Sequence, residues 1–211
     1  MMTATLSAKQ CSMALIAANC ASGNLKQLQE CLADGLDAGL TTNEIKEILC
    51  QLYAYAGFPR SLNALGTFMT LLDERKAQGL NDAQGDTSNA VNRAANSYEI
   101  GSVNQTRLVG QRVSGRLFEF APQIDEYLKA HLFGDIFSRD LLSWTDRELA
   151  TVAALANISG VNSQLLAHLN IAMHNAVSKQ QLRQLVKLFA MDGLQTAGEN
   201  ISAALDEILT D

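Results

Sequence analysis

The sequence predicts an all-α protein made of two tandem copies of one helical unit. Apolar residues recur at helical spacing through nearly all of its 211 residues, and only two prolines interrupt them. Residues 8–56 also align without a gap on residues 145–193. Ser22-Gly23 falls on Ser159-Gly160, Gln27-Leu28 on Gln164-Leu165, and Leu40-Thr41 on Val177-Ser178. Ile45, Ile48 and Leu52 fall on Leu182, Leu185 and Phe189. Helix-start signals repeat too. Thr41-x-x-Glu44 and Ser178-x-x-Gln181 both read as capping boxes, in which side chains answer free backbone N–H groups.

Taken in order, the pattern predicts helices over 6–21, 25–38, 42–56, 59–77, 104–114, 122–133, 146–158, 162–175, 179–191 and 195–209. The first contains the apolar run Cys11–Ala21, which follows Lys9 and ends in small residues like a secretion signal. The same stretch recurs inside the chain at Glu148–Ile158, so the run is read as a helix of the fold. The third helix has the clearest stripe: Ile45, Ile48, Leu49, Leu52, Tyr53 and Ala56 share one face, with Glu44, Glu47 and Gln51 elsewhere. Gly57 stops it, and Pro59 suits the first turn of the next, so Gly57-Phe58-Pro59 reads as a tight corner. Cys20 and Cys50 fall on apolar positions and read as small core residues.

Residues 79–103 break the pattern with scattered Gly, Asn, Asp and Ser, and read as a connecting loop. Pro122 opens the next ordered stretch and Gly134 is expected to end it; Leu132-Phe133 and Ile136-Phe137 form an apolar hook. The domain division that follows is a first repeat at 1–78, a linker at 79–121, and a second repeat with a preceding helix at 122–211.

Composition narrows the classes. Hydrophobic residues make up 47%, enough for a sizeable core, while charged residues are only 18%. Sparse charge suggests a surface covered by other subunits, hence a homo-oligomer. Net charge is −6 and the 16 Lys and Arg are scattered, so nucleic acid is not an expected partner. No apolar run approaches the ~20 residues of a membrane span, so no membrane partner is expected. The four cysteines, Cys11, Cys20, Cys31 and Cys50, form neither a C-x-x-C nor a zinc pattern. A reducing cytoplasm and no metal site are the expectation.

One difference between the copies carries chemistry. Where the second has Glu148 and His168, the first has Cys11 and Cys31. An acid/base pair in one and two thiols in the other make these four positions the candidates for function.

Gly39-Leu40-Thr41-Thr42-Asn43-Glu44-Ile45-Lys46-Glu47, followed by Tyr53-Ala54-Tyr55-Ala56-Gly57-Phe58-Pro59-Arg60-Ser61-Leu62-Asn63-Ala64, resembles the signature of the carboxymuconolactone decarboxylase family. That family also holds the alkylhydroperoxidase D-like proteins. Arg147-Glu148-Leu149, Gln164-Leu165 and His168 resemble the other half of the signature, and the tandem two-domain members are the most similar in plan. The resemblance implies an all-α alkylhydroperoxidase D-like fold assembled as a ring, with a trimer favoured for two fused units. It implies Glu148 and His168 as the acid and the histidine of the site. The peroxidase-type C-x-x-C positions hold Val161-Asn162-Ser163-Gln164, so the redox dithiol is missing and the chain stands nearer the decarboxylase type.

Decarboxylation of a carboxylated lactone, or of a related small organic acid, needs a general acid to protonate carbon, for which His168 fits best. Glu148 would orient the imidazole. Arg60 could hold a substrate carboxylate, and Glu47 and Gln164 are further substrate-binding candidates. No cofactor is required. Read from the residues alone, Glu148 is also a capping acid three residues after Thr145, and His168, between Leu166 and Leu169, is also a core histidine. Two other functions stay open: a peroxiredoxin-type thiol antioxidant using Cys11 and Cys31, and a binding or assembly module without chemistry.

Overall fold

A computed structural model describes residues 5–89 and 96–210. Its helices are α1 (Ala8–Ser22), α2 (Leu25–Asp37), α3 (Thr42–Gln51), α4 (Tyr53–Ala56), α5 (Phe58–Ala77), α6 (Ser97–Val109), α7 (Arg116–Phe120) and α8 (Pro122–Glu126). A π-helical segment, Tyr127–Ile136, follows; then come α9 (Trp144–Leu155), α10 (Asn162–His174), α11 (Lys179–Met191) and α12 (Gln195–Thr210). Among the described residues there is no strand, as expected of an all-α chain. No helix among them is long and apolar enough to cross a membrane.

The repeat is visible in the helix starts. Leu25, Thr42 and Phe58 open α2, α3 and α5; Asn162, Lys179 and Gln195, at the same offset, open α10, α11 and α12. The two expected capping boxes form. Glu44 Oε2 accepts from Thr41 N at 2.7 Å, and Gln181 Oε1 accepts from Ser178 N at 2.9 Å. Gly57 takes φ +84°, open to glycine, and places Pro59 in the first turn of α5.

By contacts the chain divides into Met1–Asp86 with Thr145–Asp211, and Thr87–Trp144. In the first unit α1 and α9 are the innermost helices. Arg147 to Leu155 are all buried, as are Ile16 to Ala21. A helix buried all round needs apolar or small residues on every side, hence the signal-like run of Cys11–Ala21. The more peripheral α2 and α11 bury one face each, and α3 buries an apolar stripe together with Glu47 and Gln51. Leu182, Leu185 and Phe189 are fully buried on α11, each contributing about 1.5–3 kcal/mol.

The second unit differs from expectation. The helix expected at 104–114 runs over Ser97–Val109, started by Asn96, whose side chain accepts from Tyr98 N at 3.0 Å, and ended by Gly110 at φ +84°. Gly134 does not end a helix but lies inside the π-helical segment. Gly101, expected in the connecting loop, and Gly134, expected as a helix stop, are both close-packing residues. A Cβ on Gly101 would fall onto the Lys129 carbonyl, and one on Gly134 onto the Ser97 carbonyl. Leu132, Phe133, Ile136 and Phe137 of the apolar hook are buried. Cys50 is exposed, against the core role expected of it, whereas Cys20 is buried.

The packing at Gly101 gives a direct expectation. Gly101→Ala forces α6 off the π-helical segment, since the obstacle is backbone and cannot rotate away. It should destabilise the protein by about 2–4 kcal/mol in chemical denaturation. An equally stable G101A protein would contradict this contact.

Candidate functional site

Glu148 lies one turn into α9 and His168 near the middle of α10. The structure brings them together: His168 Nδ1 and Glu148 Oε2 are 2.8 Å apart. The Glu148 side chain is fully buried and that of His168 is 12% exposed. A carboxylate can only accept, so Nδ1–H donates and Nε2 is left to carry or take a proton. The capping reading of Glu148 does not hold, because Thr145 lies inside α9 and the Glu148 carboxylate turns to His168 instead of a backbone N–H. The core-histidine reading holds only in part, since the ring reaches the surface.

The first repeat also supplies this site. Glu47, Gln51 and Tyr55 stand on successive turns of α3 and α4. Arg147, fully buried on α9, donates through Nη2 to Glu47 Oε1 at 2.6 Å and through Nη1 to Gln51 Oε1 at 2.8 Å. The Gln51 amide donates in return to Arg147 O at 3.1 Å and Thr151 Oγ1 at 3.0 Å. Glu47 and Gln51, expected off the buried stripe, are buried because this second polar face packs on α9. The Tyr55 ring meets the His168 ring edge-on, centroids 5.5 Å apart at 82°. Burial, and then the charge of Glu148, hold the Tyr55 hydroxyl well above the usual tyrosine range.

Arg60 is half-buried and donates through Nη1 to Ala21 O, a carbonyl at the end of α1. Gln164 is exposed in the first turn of α10, one turn before His168 and on the same face. Cys11 is half-buried, Cys31 is buried, and all four cysteines are free. Cys31 Sγ accepts from the Asn19 amide at 3.4 Å. Burial, then the neighbouring Asp192, push the Cys31 thiol up to about 12, and burial also raises Cys11. His131 and His174 are exposed. A cavity of about 330 Å³ lies in the second unit, lined in part by Asn104, Asp140 and Trp144. Among the described residues no His, Cys, Asp and Glu cluster could hold a metal ion.

The sequence profile of the carboxymuconolactone decarboxylase family matches residues 2–68 and 122–207, most of the chain in two segments. The chain belongs to the carboxymuconolactone decarboxylase family. No curated protein gives a significant match. Within the family plan the residues that sequence reasoning missed are Arg147, Gln51, Thr151 and Tyr55. Their signal was present: one arginine at the head of a helix that turns apolar from Leu149 on, and polar residues at i, i+4 and i+8 from Glu47.

A buried guanidinium between two helices is costly to orphan. Arg147→Met should lose about 3–5 kcal/mol of unfolding free energy because Glu47 is left charged and dry. Removing both charges, as Glu47→Gln with Arg147→Met, should recover a large part of that loss. Urea unfolding of the two variants checks it, and equal losses would show that the pair is not coupled.

Proposed function

We propose that the protein is a cofactor-independent carboxy-lyase for a carboxylated lactone or related small organic acid, with His168 as acid/base. The observation that carries this reading is the 2.8 Å contact of His168 with a fully buried Glu148. When the carboxylate C–C bond breaks, CO₂ leaves and the electron pair flows onto the lactone carbonyl. His168 Nε2–H then delivers a proton to carbon, and Glu148 holds the ring while its charge changes. Gln164, on the His168 face of α10, is proposed to contact substrate. Arg60 is proposed for the substrate carboxylate through the donors that Ala21 does not use. Glu47 is spent on Arg147, which makes it a support of the site.

The thiol reading is less well supported. The C-x-x-C positions hold Val161-Asn162-Ser163-Gln164, and the reactive form of Cys31 is strongly disfavoured by burial. Four free cysteines fit a proposed cytoplasmic setting.

The test is CO₂ release from carboxymuconolactone and a panel of small carboxylated lactones. His168→Ala should lower kcat/KM by about 100-fold or more. Turnover by H168A at the native rate, or none by the native protein on any member of the panel, would sink the lyase reading. We further propose a homo-oligomer, with a trimer favoured, for which the exposed Phe58, Leu62 and Met69 on α5 offer apolar surface. Light scattering at micromolar concentration should give a multiple of the 22.8 kDa chain mass; the monomer mass would refute it.

A further inference from the structure

Two polar atoms beside the Glu148–His168 contact stay buried without a hydrogen bond: Tyr55 Oη and Glu148 Oε1. Buried polar groups are nearly always paired, and an orphaned one costs about 1–3 kcal/mol. Here one atom is a donor and the other an anionic acceptor. They sit in the same interior. The Tyr55 ring edge lies on the imidazole that Glu148 holds, and Glu148 is the charge acting most strongly on the tyrosine hydroxyl. The Thr151 hydroxyl, which accepts from the Gln51 amide, also acts on the Tyr55 hydroxyl, but only as a weak partner outside full hydrogen-bond geometry. Arg147, the other charge felt at Tyr55, is committed to Glu47 and Gln51.

We propose that Tyr55, delivered by the first repeat, is a positioning residue for the acid/base pair of the second. Its ring edge fixes the imidazole plane, and its hydroxyl donates to the second Glu148 oxygen in the working state of the site. The inference takes from the proposed function only that Glu148 and His168 are its working pair. Holding both carboxylate oxygens, one by His168 and one by Tyr55, stops the carboxylate rotating about its C–C bond. It also gives the first repeat a part that its own copy of the site, with Cys11 and Cys31, no longer plays. The position equivalent to Tyr55 in the second repeat is Asp192, which cannot supply a ring or, when ionised, a donor.

The experiment compares the full-length native protein with Y55F and Y55A by proton NMR of the His168 Nδ1–H, assigned by its disappearance in H168A. In Y55F the resonance should shift, and its exchange with solvent should speed by about threefold or more, the scale of one lost hydrogen bond. Y55A should go further, because the ring edge is lost too. A Y55F protein that unfolds cooperatively but keeps the native resonance and exchange rate overturns the proposal, leaving the hydroxyl as an unpaired buried group. This readout needs no turnover, so it stands or falls apart from the lyase reading. Where CO₂ release is measurable, Y55F should lower kcat with KM little changed, and an unchanged kcat counts against the proposal.

Discussion

The site depends on one buried charge. α9 from Leu149 to Leu155 is almost wholly apolar and buried, and Arg147 at its outer end is as deeply buried as they are. A guanidinium in that setting needs an anion and several acceptors, since desolvation costs several kcal/mol per ion. Glu47 and Gln51 meet that need from one face of α3. The pairing fixes the register of α3 against α9, because a slip of one residue would carry both acceptors off the guanidinium. Once the register is set, Tyr55, one turn beyond Gln51, reaches the His168 ring. Glu148, one residue beyond Arg147, is turned by about 100° toward α10.

The first repeat shows what happens without that charge. Gln10 stands in the place of Arg147, Gln184 in that of Glu47, and Leu188 in that of Gln51. Gln10 donates to Asp146 at 2.9 Å, and Gln184 accepts from Leu6 N at 2.8 Å. These are separate, part-buried contacts rather than one buried network. The acid and the histidine are replaced there by Cys11 and Cys31. Cys31 faces Asn19 in the interior, and burial, then Asp192, push its thiol up. The copies differ in what they supply: the second holds the Glu148–His168 contact, and the first sets Tyr55 against the His168 ring.

Helix starts were legible because caps are local. Thr41 with Glu44 and Ser178 with Gln181 announce themselves within four residues, and both form. Glu148 and His168 were legible through the repeat and the family resemblance, since twenty residues across a helix hairpin still leave an alignment. Arg147 and Glu47 were not, because their partnership spans 100 residues and each reads alone as a solvated charge. Gln51 was set aside on the ground that α3 has one apolar stripe, yet α3 packs by two faces, one of them polar. Gly101 and Gly134 misled for another reason. A glycine that admits a neighbouring backbone looks, in sequence, like one that bends a loop, and only the facing carbonyls of Lys129 and Ser97 separate the two.

The depth of each member suits an acid/base pair. Charge interactions strengthen as water is excluded, so a fully buried Glu148 grips the imidazole more firmly than an exposed carboxylate would. His168 keeps part of its ring at the surface, where a proton can enter and leave. Had both been exposed, the contact would be weak and the ring free to turn. Had both been sealed, the pair would be another buried polar anchor like Arg147 and Glu47. The two pairs lie side by side on α9, at adjacent residues, and differ in burial: the Arg147–Glu47 pair is closed, and the Glu148–His168 pair is half-open, as the proposed acid/base role requires.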